Sequence, residues 1–322
     1  MTTQRSQGYL LVVVAALIWS LTSPGLSYLL KAGAHPLGLA FWRDAVIATA
    51  CVLGLLIFRP HLLKVDHKDL LGLALTGMIS IGIYHALWVW SIDLNGAAVA
   101  IVMIYLFPTF VSVGSWLIFK EPLRWPQVLA LAISLVGCGL LVRIYDPELF
   151  RLSWLGTLVG LLTAITHTVY VLYSQRSVQE RSPWTSMTYT MLFGSMTLLI
   201  MLLLSGGWGI ATQAPQPWQV FSLGEGWQVW LVLAFIALGP TMGGYGIFTS
   251  ALRSIPARLA SLIVVIEAPI STMIAVLWIG ERLEWPQVVG MALILSSIAI
   301  PTLMDQFLPK QVAANVAAEP LS

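Results

Sequence analysis

The sequence predicts an all-α polytopic membrane protein, ten transmembrane helices arranged as two inverted repeats of five. Three observations carry that expectation. Apolar residues make up 58% of the 322 and charged residues only 9%, where a soluble domain holds about a quarter charged. Apolar stretches long enough to cross a hydrocarbon core of about 30 Å recur along the whole chain. One nine-residue connection also returns almost unchanged 160 residues further on.

Between charged or Pro/Gly punctuation, the apolar runs fall at residues 9–30, 37–58, 70–92, 97–119, 126–145, 153–175, 184–205, 227–251, 258–279 and 286–304. The first is too long for a signal-peptide core, so it is expected to stay attached. The connections at 120–125 and 280–285 are very short, which forces their flanking spans to be antiparallel neighbours. The polar-leaning stretch 205–226 and the tail after Leu308 are too small to bury a core. Cys51 and Cys138 fall inside apolar spans and read as small buried hydrophobes, with neither a disulfide nor a metal site expected.

Lys and Arg set the direction. With the N-terminus in the cytoplasm, the inner segments hold Arg5, Arg59, Lys64, Lys68, Lys120, Arg124, Arg176, Arg181, Arg253, Arg258 and Lys310. The outer loops hold only Lys31, Arg143, Arg151 and Arg282, and Arg43 lies within a span. That bias places both termini in the cytoplasm and requires an even number of spans.

The repeated connection is Lys120-Glu121-Pro122-Leu123-Arg124-Trp125-Pro126-Gln127-Val128 and, later, Gly280-Glu281-Arg282-Leu283-Glu284-Trp285-Pro286-Gln287-Val288. Pro108 and Pro269 precede the two copies at similar depth, one position apart in register. Residues 1–148 and 149–308 then form two five-helix repeats, followed by a cytoplasmic tail at 309–322. Five is odd, so the second repeat enters the membrane upside down. Inverted repeats place a substrate site near the midplane, where the halves meet, and work by alternating access.

Ala15-Ala16-Leu17-Ile18-Trp19-Ser20, Phe41-Trp42-Arg43, Tyr105-Leu106-Phe107-Pro108 and the two Glu-x-Leu-x-Trp turns, taken in this order over residues 8–304, resemble the EamA branch of the drug/metabolite transporter superfamily. The resemblance implies two inverted five-helix units around a central cavity and the transport, often outward, of small metabolites. Tyr84-His85 and Tyr105 most resemble the YddG type, exporters of aromatic and other neutral amino acids. The aligned equivalent of Trp19 in the second half is His167, where a Trp is common.

Polar groups deep in a span are costly and usually face a cavity or a partner. Glu267 lies in an apolar run just before Pro269 and could carry a proton or contact a substrate amine. His85 shares a helix face with Trp88 at i, i+3, and Tyr84 shares one with Trp88 at i, i+4, a strip able to stack an apolar ligand. Packing of these rings between helices is the competing reading. His167, with Thr163 and Tyr170 on its side, Trp19 midway along the first span, Tyr105 and Tyr245 are further candidates for substrate contact. Arg43 could bind a carboxylate or gate the outer mouth, or be anchored by helix-end carbonyls or a loop carboxylate. Its neighbour Asp44 points about 100° away on a helix, so the two are not an obvious pair. Pro108 and Pro269 are candidate hinges, and the Gly-rich run at Tyr245 predicts a bent span. Trp125, Trp154, Trp184, Trp227 and Trp285 lie at span ends as interfacial anchors. Gly156-x-x-x-Gly160 is a close-packing face.

The composition excludes several classes. No basic patch with interleaved aromatics supports nucleic-acid binding. No Gly-x-x-x-x-Gly-Lys-[Ser/Thr] loop exists for ATP, so energy would come from the substrate gradient or from protons through Glu267 or a histidine. His35, His61, His67, His85 and His167 show no metal spacing, and no convergent catalytic set supports a membrane-embedded enzyme. No cofactor is expected, and the expected partners are a small-molecule substrate and the bilayer. Neither the cargo nor the oligomeric state follows from the residues.

Overall fold

The computed structural model describes residues 2–121, 125–147, 153–208, 217–279 and 283–307, and every regular element among them is helical. In the first half these are α1 (Thr2–Trp19), α2 (Thr22–Lys31), α3 (Pro36–Phe58), α4 (His67–Gly77), a π-helical segment Met78–Ile83, α5 (Tyr84–Ile104), α6 (Phe107–Phe119) and α7 (Trp125–Leu141). The second half holds α8 (Trp154–Glu180), α9 (Pro183–Trp208), α10 (Trp227–Ile236), a π-helical segment Ala237–Thr241, α11 (Met242–Ala251), α12 (Ala257–Val264), α13 (Glu267–Ile279) and α14 (Trp285–Phe307). Seven helical stretches among the described residues are long and apolar enough to cross a membrane. Three shorter apolar helices, Ser6–Trp19, Trp125–Leu141 and Trp285–Ile300, accompany them. Trp125, Trp154, Trp227 and Trp285 each open a helix with 68–80% of their surface exposed, as interfacial anchors do.

The connection expected between the third and fourth spans is not a non-helical loop, because α5 carries helical hydrogen bonding through it. The chain nevertheless doubles back there. Ser91 and Met103 both lie against Gly160, with Ser91 Oγ 3.0 Å and Met103 Cβ 2.7 Å from the point where a Gly160 Cβ would stand. In a straight helix those two residues would be about 18 Å apart. Gly160 of the Gly156-x-x-x-Gly160 face is thus spent on packing inside the chain.

Proline and its missing N–H explain the other irregularities. Pro108 cannot donate to Ile104, nor Pro269 to Val265, and the helix breaks at Tyr105–Leu106 and at Val265–Ile266, 160 residues apart. Tighter i→i−3 bonds bridge the gaps: Leu106 N to Met103 O at 3.2 Å, and Ala268 N to Val265 O at 3.0 Å. Pro240 cannot donate to the Ile236 carbonyl, the ladder shifts there to the i→i−5 bonding of the π-helical segment, and the Thr241 hydroxyl also donates to that carbonyl, at 2.8 Å. The first span breaks after Trp19, and the Ser271 hydroxyl of α13 donates to the Ser20 carbonyl at 3.2 Å, tying two broken spans together.

The halves interlock by antiparallel pairing. Gly8 lies beside Ser254–Ile255, Trp19 beside Gly244 and Gly25 beside Ile236, so the first span runs opposite to α10–α11. Tyr84 meets His167 and Gly72 meets Tyr173, so α4–α5 run opposite to α8. α7 and α14 cross through Gly137 and Gly290, each of which would drive a Cβ into the other's carbonyl oxygen, at 2.7 and 2.6 Å. Since Gly290 also touches Leu141 and Gly137 touches Ile294, these two helices, which follow the repeated connection, are antiparallel. α7 and α14, the matching elements of the two halves, therefore point in opposite directions.

Candidate functional site

The site grows from the places where these pairings cross. Trp19 ends α1, and its indole fills the space a Cβ on Gly244 would take, which explains the glycine-rich start of α11. There the indole meets Tyr245 edge-on at 5.1 Å and Phe248 at 5.3 Å between ring centroids. Tyr245 in turn meets Tyr170 edge-on at 5.2 Å, and the Tyr170 hydroxyl is bonded to Thr249 Oγ1 at 2.9 Å. Tyr170 is followed by His167, near-parallel to it at 6.4 Å, which lies tilted against Tyr84 at 4.9 Å and meets Phe107 edge-on at 4.8 Å. The result is one continuous chain of rings. It draws on both halves, with Trp19, Tyr84 and Phe107 from the first at its two ends and His167, Tyr170, Tyr245 and Phe248 from the second. Such offset and edge-on pairs are favoured by the ring quadrupole.

At the Tyr84 end lies a buried charged triad. Arg43 Nε donates to Asp44 Oδ1 at 3.2 Å, and Arg43 Nη2 lies 2.6 Å from His85 Nε2. His85 Nδ1 lies 2.6 Å from Asp44 Oδ2. A guanidinium can only donate, so Nε2 accepts and the imidazole proton sits on Nδ1, pointing at the carboxylate. Asp44 is fully buried, and Arg43 and His85 are 8% and 5% exposed. Arg43 and Asp44 are a pair after all. The 100° between their Cβ directions is overcome by the length of the Arg side chain, which curls back along its own helix. The anchor of Arg43 is thus its neighbour and His85, and neither helix-end carbonyls nor a loop carboxylate.

Glu267 opens α13 at the break beside Pro269 and is half-buried. Among the described residues no hydrogen-bond or ion-pair partner meets its carboxylate. Tyr105, at the matching break of the first half, packs against the apolar cluster that includes Val265 and Ala268, the residues that flank this break. His167 Nδ1 is buried with no hydrogen-bond partner among the described residues, an open hydrogen-bonding position within the ring chain.

The family model described as the EamA-like transporter family matches residues 6–143 and, a second time, residues 154–303. The chain belongs to the EamA-like transporter family. Curated relatives carry names of the same kind. An uncharacterized transporter of Clostridium kluyveri is 22% identical over 90% of this chain and 91% of its own. The uncharacterized transporter YyaM of Bacillus subtilis is 24% identical over 82% and 83%. YicL of Salmonella typhimurium, an uncharacterized inner membrane transporter, is 22% identical over 92% and 95%. A solved crystal structure superposes with a TM-score of 0.75 at 18% identity, over 93% of this chain and 97% of that one, which establishes the likeness of fold. This EamA chain is thus a multi-pass membrane transporter, and its cargo is a small molecule.

Of the residues singled out in the sequence, the EamA fold gathers Trp19, Tyr84, His85, His167, Tyr245, Arg43 and Asp44 into the ring chain and its triad. Tyr105 and Glu267 stand next to them at matching helix breaks, with Pro108 and Pro269 each inside the first turn of the following helix. Trp88 is half-buried on α5 and makes no ring contact with Tyr84 or His85, so the expected strip is not formed. Phe107 and Phe248 are additions. Their apolar surroundings hid them, although Phe248 lies one turn beyond Tyr245.

Proposed function

We propose that this transporter is an exporter of small metabolites, aromatic and other neutral amino acids above all, working by alternating access. Its frame is ten membrane crossings in two inverted repeats, residues 1–148 and 149–308, with the 309–322 tail and the N-terminus in the cytoplasm of a bacterial inner membrane. The observation that carries the reading is the ring chain contributed in turn by both halves. A ligand seated on Trp19, Tyr84, Tyr105, His167 and Tyr245 touches both halves at once, so their relative motion exposes it to one side or the other. The hinges are the breaks at Pro108 and Pro269. Antiparallel matching helices support the inversion, and the packing of Gly8 against Ser254–Ile255, with Arg258 Nε 3.1 Å from Glu121 Oε2, supports a state closed at the cytoplasmic end. Trp88 lines the first-half approach to this site. Protons are the candidate coupling ion, with Glu267 as carrier.

Counterflow of radiolabelled amino acids in proteoliposomes tests the reading. Exchange of phenylalanine, tryptophan or leucine above that of empty vesicles is expected. No exchange across a broad amino-acid panel would remove the amino-acid version, and exchange of a non-amino-acid metabolite in its place would support a carrier for another small molecule.

A further inference from the structure

Arg43, Asp44 and His85 form a closed loop of three hydrogen bonds, in which each member is bonded to both others. A buried ion pair of this kind is weak evidence for stability alone, because desolvation offsets the attraction. The guanidinium cannot lose a proton, and Asp44 accepts a bond at each oxygen. His85 is the member that can change. Its Nδ1 proton points at Asp44, and its Nε2 lone pair is taken by Arg43 at 2.6 Å. A proton and the Arg43 N–H are rivals for that lone pair. Two N–H donors cannot face each other at this distance, so a proton on Nε2 expels Arg43. The same proton strengthens the bond from Nδ1 to Asp44, because both partners are then ionised.

We infer that His85 Nε2 is a proton-binding site that Arg43 keeps closed, distinct from Glu267 and linked to the packing of the helices it joins. α3 packs mainly on α9 and α5 mainly on α8, so the Arg43–His85 bond ties two helix pairs together. Uptake of a proton from solvent forms the Nε2–H bond, releases Arg43 and loosens that tie, and loss of the proton restores it. By linkage, the packing that breaks the bond takes the proton and the packing that keeps it does not. Few other ionisable groups bear on His85. α3 offers Arg43 and Asp44, and α8 offers His167, whose ring meets Tyr84 at 4.9 Å as that of His85 does at 4.8 Å. The Met78–Ile83 segment carries none, and α7 only the Cys138 thiol, packed among Leu141, Val265 and Ile294. The inference deepens the proton-coupled version of the transport reading and rests on it for the use made of the proton, while the site itself stands on the triad.

Nitrogen NMR of the full chain, labelled at histidine and reconstituted in lipid, reads each imidazole nitrogen directly. At about pH 8 His85 should show a protonated Nδ1 and a bare Nε2, and by about pH 5 both should carry protons, the range in which imidazoles titrate. His85→Gln removes that signal and should flatten the pH dependence of phenylalanine counterflow, whereas Glu267→Gln should leave the His85 titration in place. Each partner's variant moves the midpoint in its own direction. Arg43→Gln opens Nε2 and should raise it by about one pH unit, equivalent to about 1.4 kcal/mol. Asp44→Asn removes the carboxylate and should lower it, and a merely structural triad would show neither shift. An Nε2 that stays bare throughout, or a midpoint unmoved in Arg43→Gln, overturns the proton site. If the triad variants fail to fold, His35→Gln, His61→Gln, His67→Gln and His167→Gln together leave His85 as the sole imidazole, and its titration alone decides. Titration of His85 with counterflow indifferent to pH would uphold the site and remove the coupling. Titration in a chain that exchanges no cargo would uphold the site and remove the transport reading instead.

Discussion

The two halves share a scaffold and differ in chemistry. Both break the helix 160 residues apart before a proline, both interrupt a span with a π-helical segment, and both send a tryptophan-led helix through the Gly137–Gly290 crossing. At the breaks, however, Phe107 in the first half stands where Glu267 stands in the second. Counting from the prolines that open α3 and α9, Arg43-Asp44 correspond to Thr190-Met191, both buried. The first span snaps after Trp19, whereas α8 runs unbroken past His167, its threonines 163, 166 and 168 donating back to their own helix. Repetition supplies the moving frame, and the departures from it supply the site. The first half carries the Arg43–Asp44–His85 triad, the second carries Glu267 at its helix break, and the rings are drawn from both.

Substitutions can break that comparison, beginning where the effect should be largest. Trp19→Ala removes the ring that joins the halves at Gly244. Core Trp→Ala changes cost about 3–5 kcal/mol, so about 3 is expected for this half-buried indole, with exchange lost. His167→Ala, in the unbroken counterpart, should cost less stability, and thermal melts of both variants in detergent read the difference. Gly137→Ala tests the shared scaffold. Its Cβ would strike the Gly290 backbone, and a loss of about 1–3 kcal/mol is expected. Gly54→Ala, whose Cβ meets nothing within 4 Å, should instead raise stability by about 0.5–1 kcal/mol through helix propensity. Thr241→Val isolates the proline-containing π-segment of the second half. Without the hydroxyl the Ile236 carbonyl keeps its π-helical backbone donor and loses only the side-chain bond, at about 0.5–1.5 kcal/mol. Asp69→Asn is the smallest change. It removes the 2.9 Å pair with Arg181, but Asp69 is 45% exposed, so less than about 1 kcal/mol is expected.

Most of the frame was legible because a membrane leaves the chain few choices. Hydropathy located the spans, the tryptophans marked their ends, and Pro108 and Pro269 lay within three residues of the breaks they cause. The repeated connection pointed to an inverted second half, whereas the crossing of α7 and α14 that follows it emerged only from their packing. The site was legible as a set of residue types and illegible as an arrangement. Nothing in one sequence says that Asp44 and His85, 41 residues apart, lie 2.6 Å apart, since that distance is set by how α3 packs on α5. Helical spacing suggested Trp88 as the partner of His85, and packing chose Asp44 and Arg43. The reversal between Ser91 and Met103 also kept helical hydrogen bonds where the hydropathy dip suggested an open loop. Phe107 and Phe248 carried no signal because an aromatic residue in an apolar span is ordinary until its neighbours are known.

The central claim is that cargo crosses because the halves move against each other about this site. Gly8 and Ile255 offer the most direct test, since they come from opposite halves and a Cβ on Gly8 would stand 2.8 Å from an Ile255 methyl. Cysteines placed there as Gly8→Cys and Ile255→Cys should form a disulfide on mild oxidation, and both native thiols, Cys51 and Cys138, are buried. Exchange in proteoliposomes is then measured before oxidation, after it, and again after reduction. Exchange that stops on crosslinking and returns on reduction is the result alternating access predicts. Undiminished exchange through the fully crosslinked chain would contradict it.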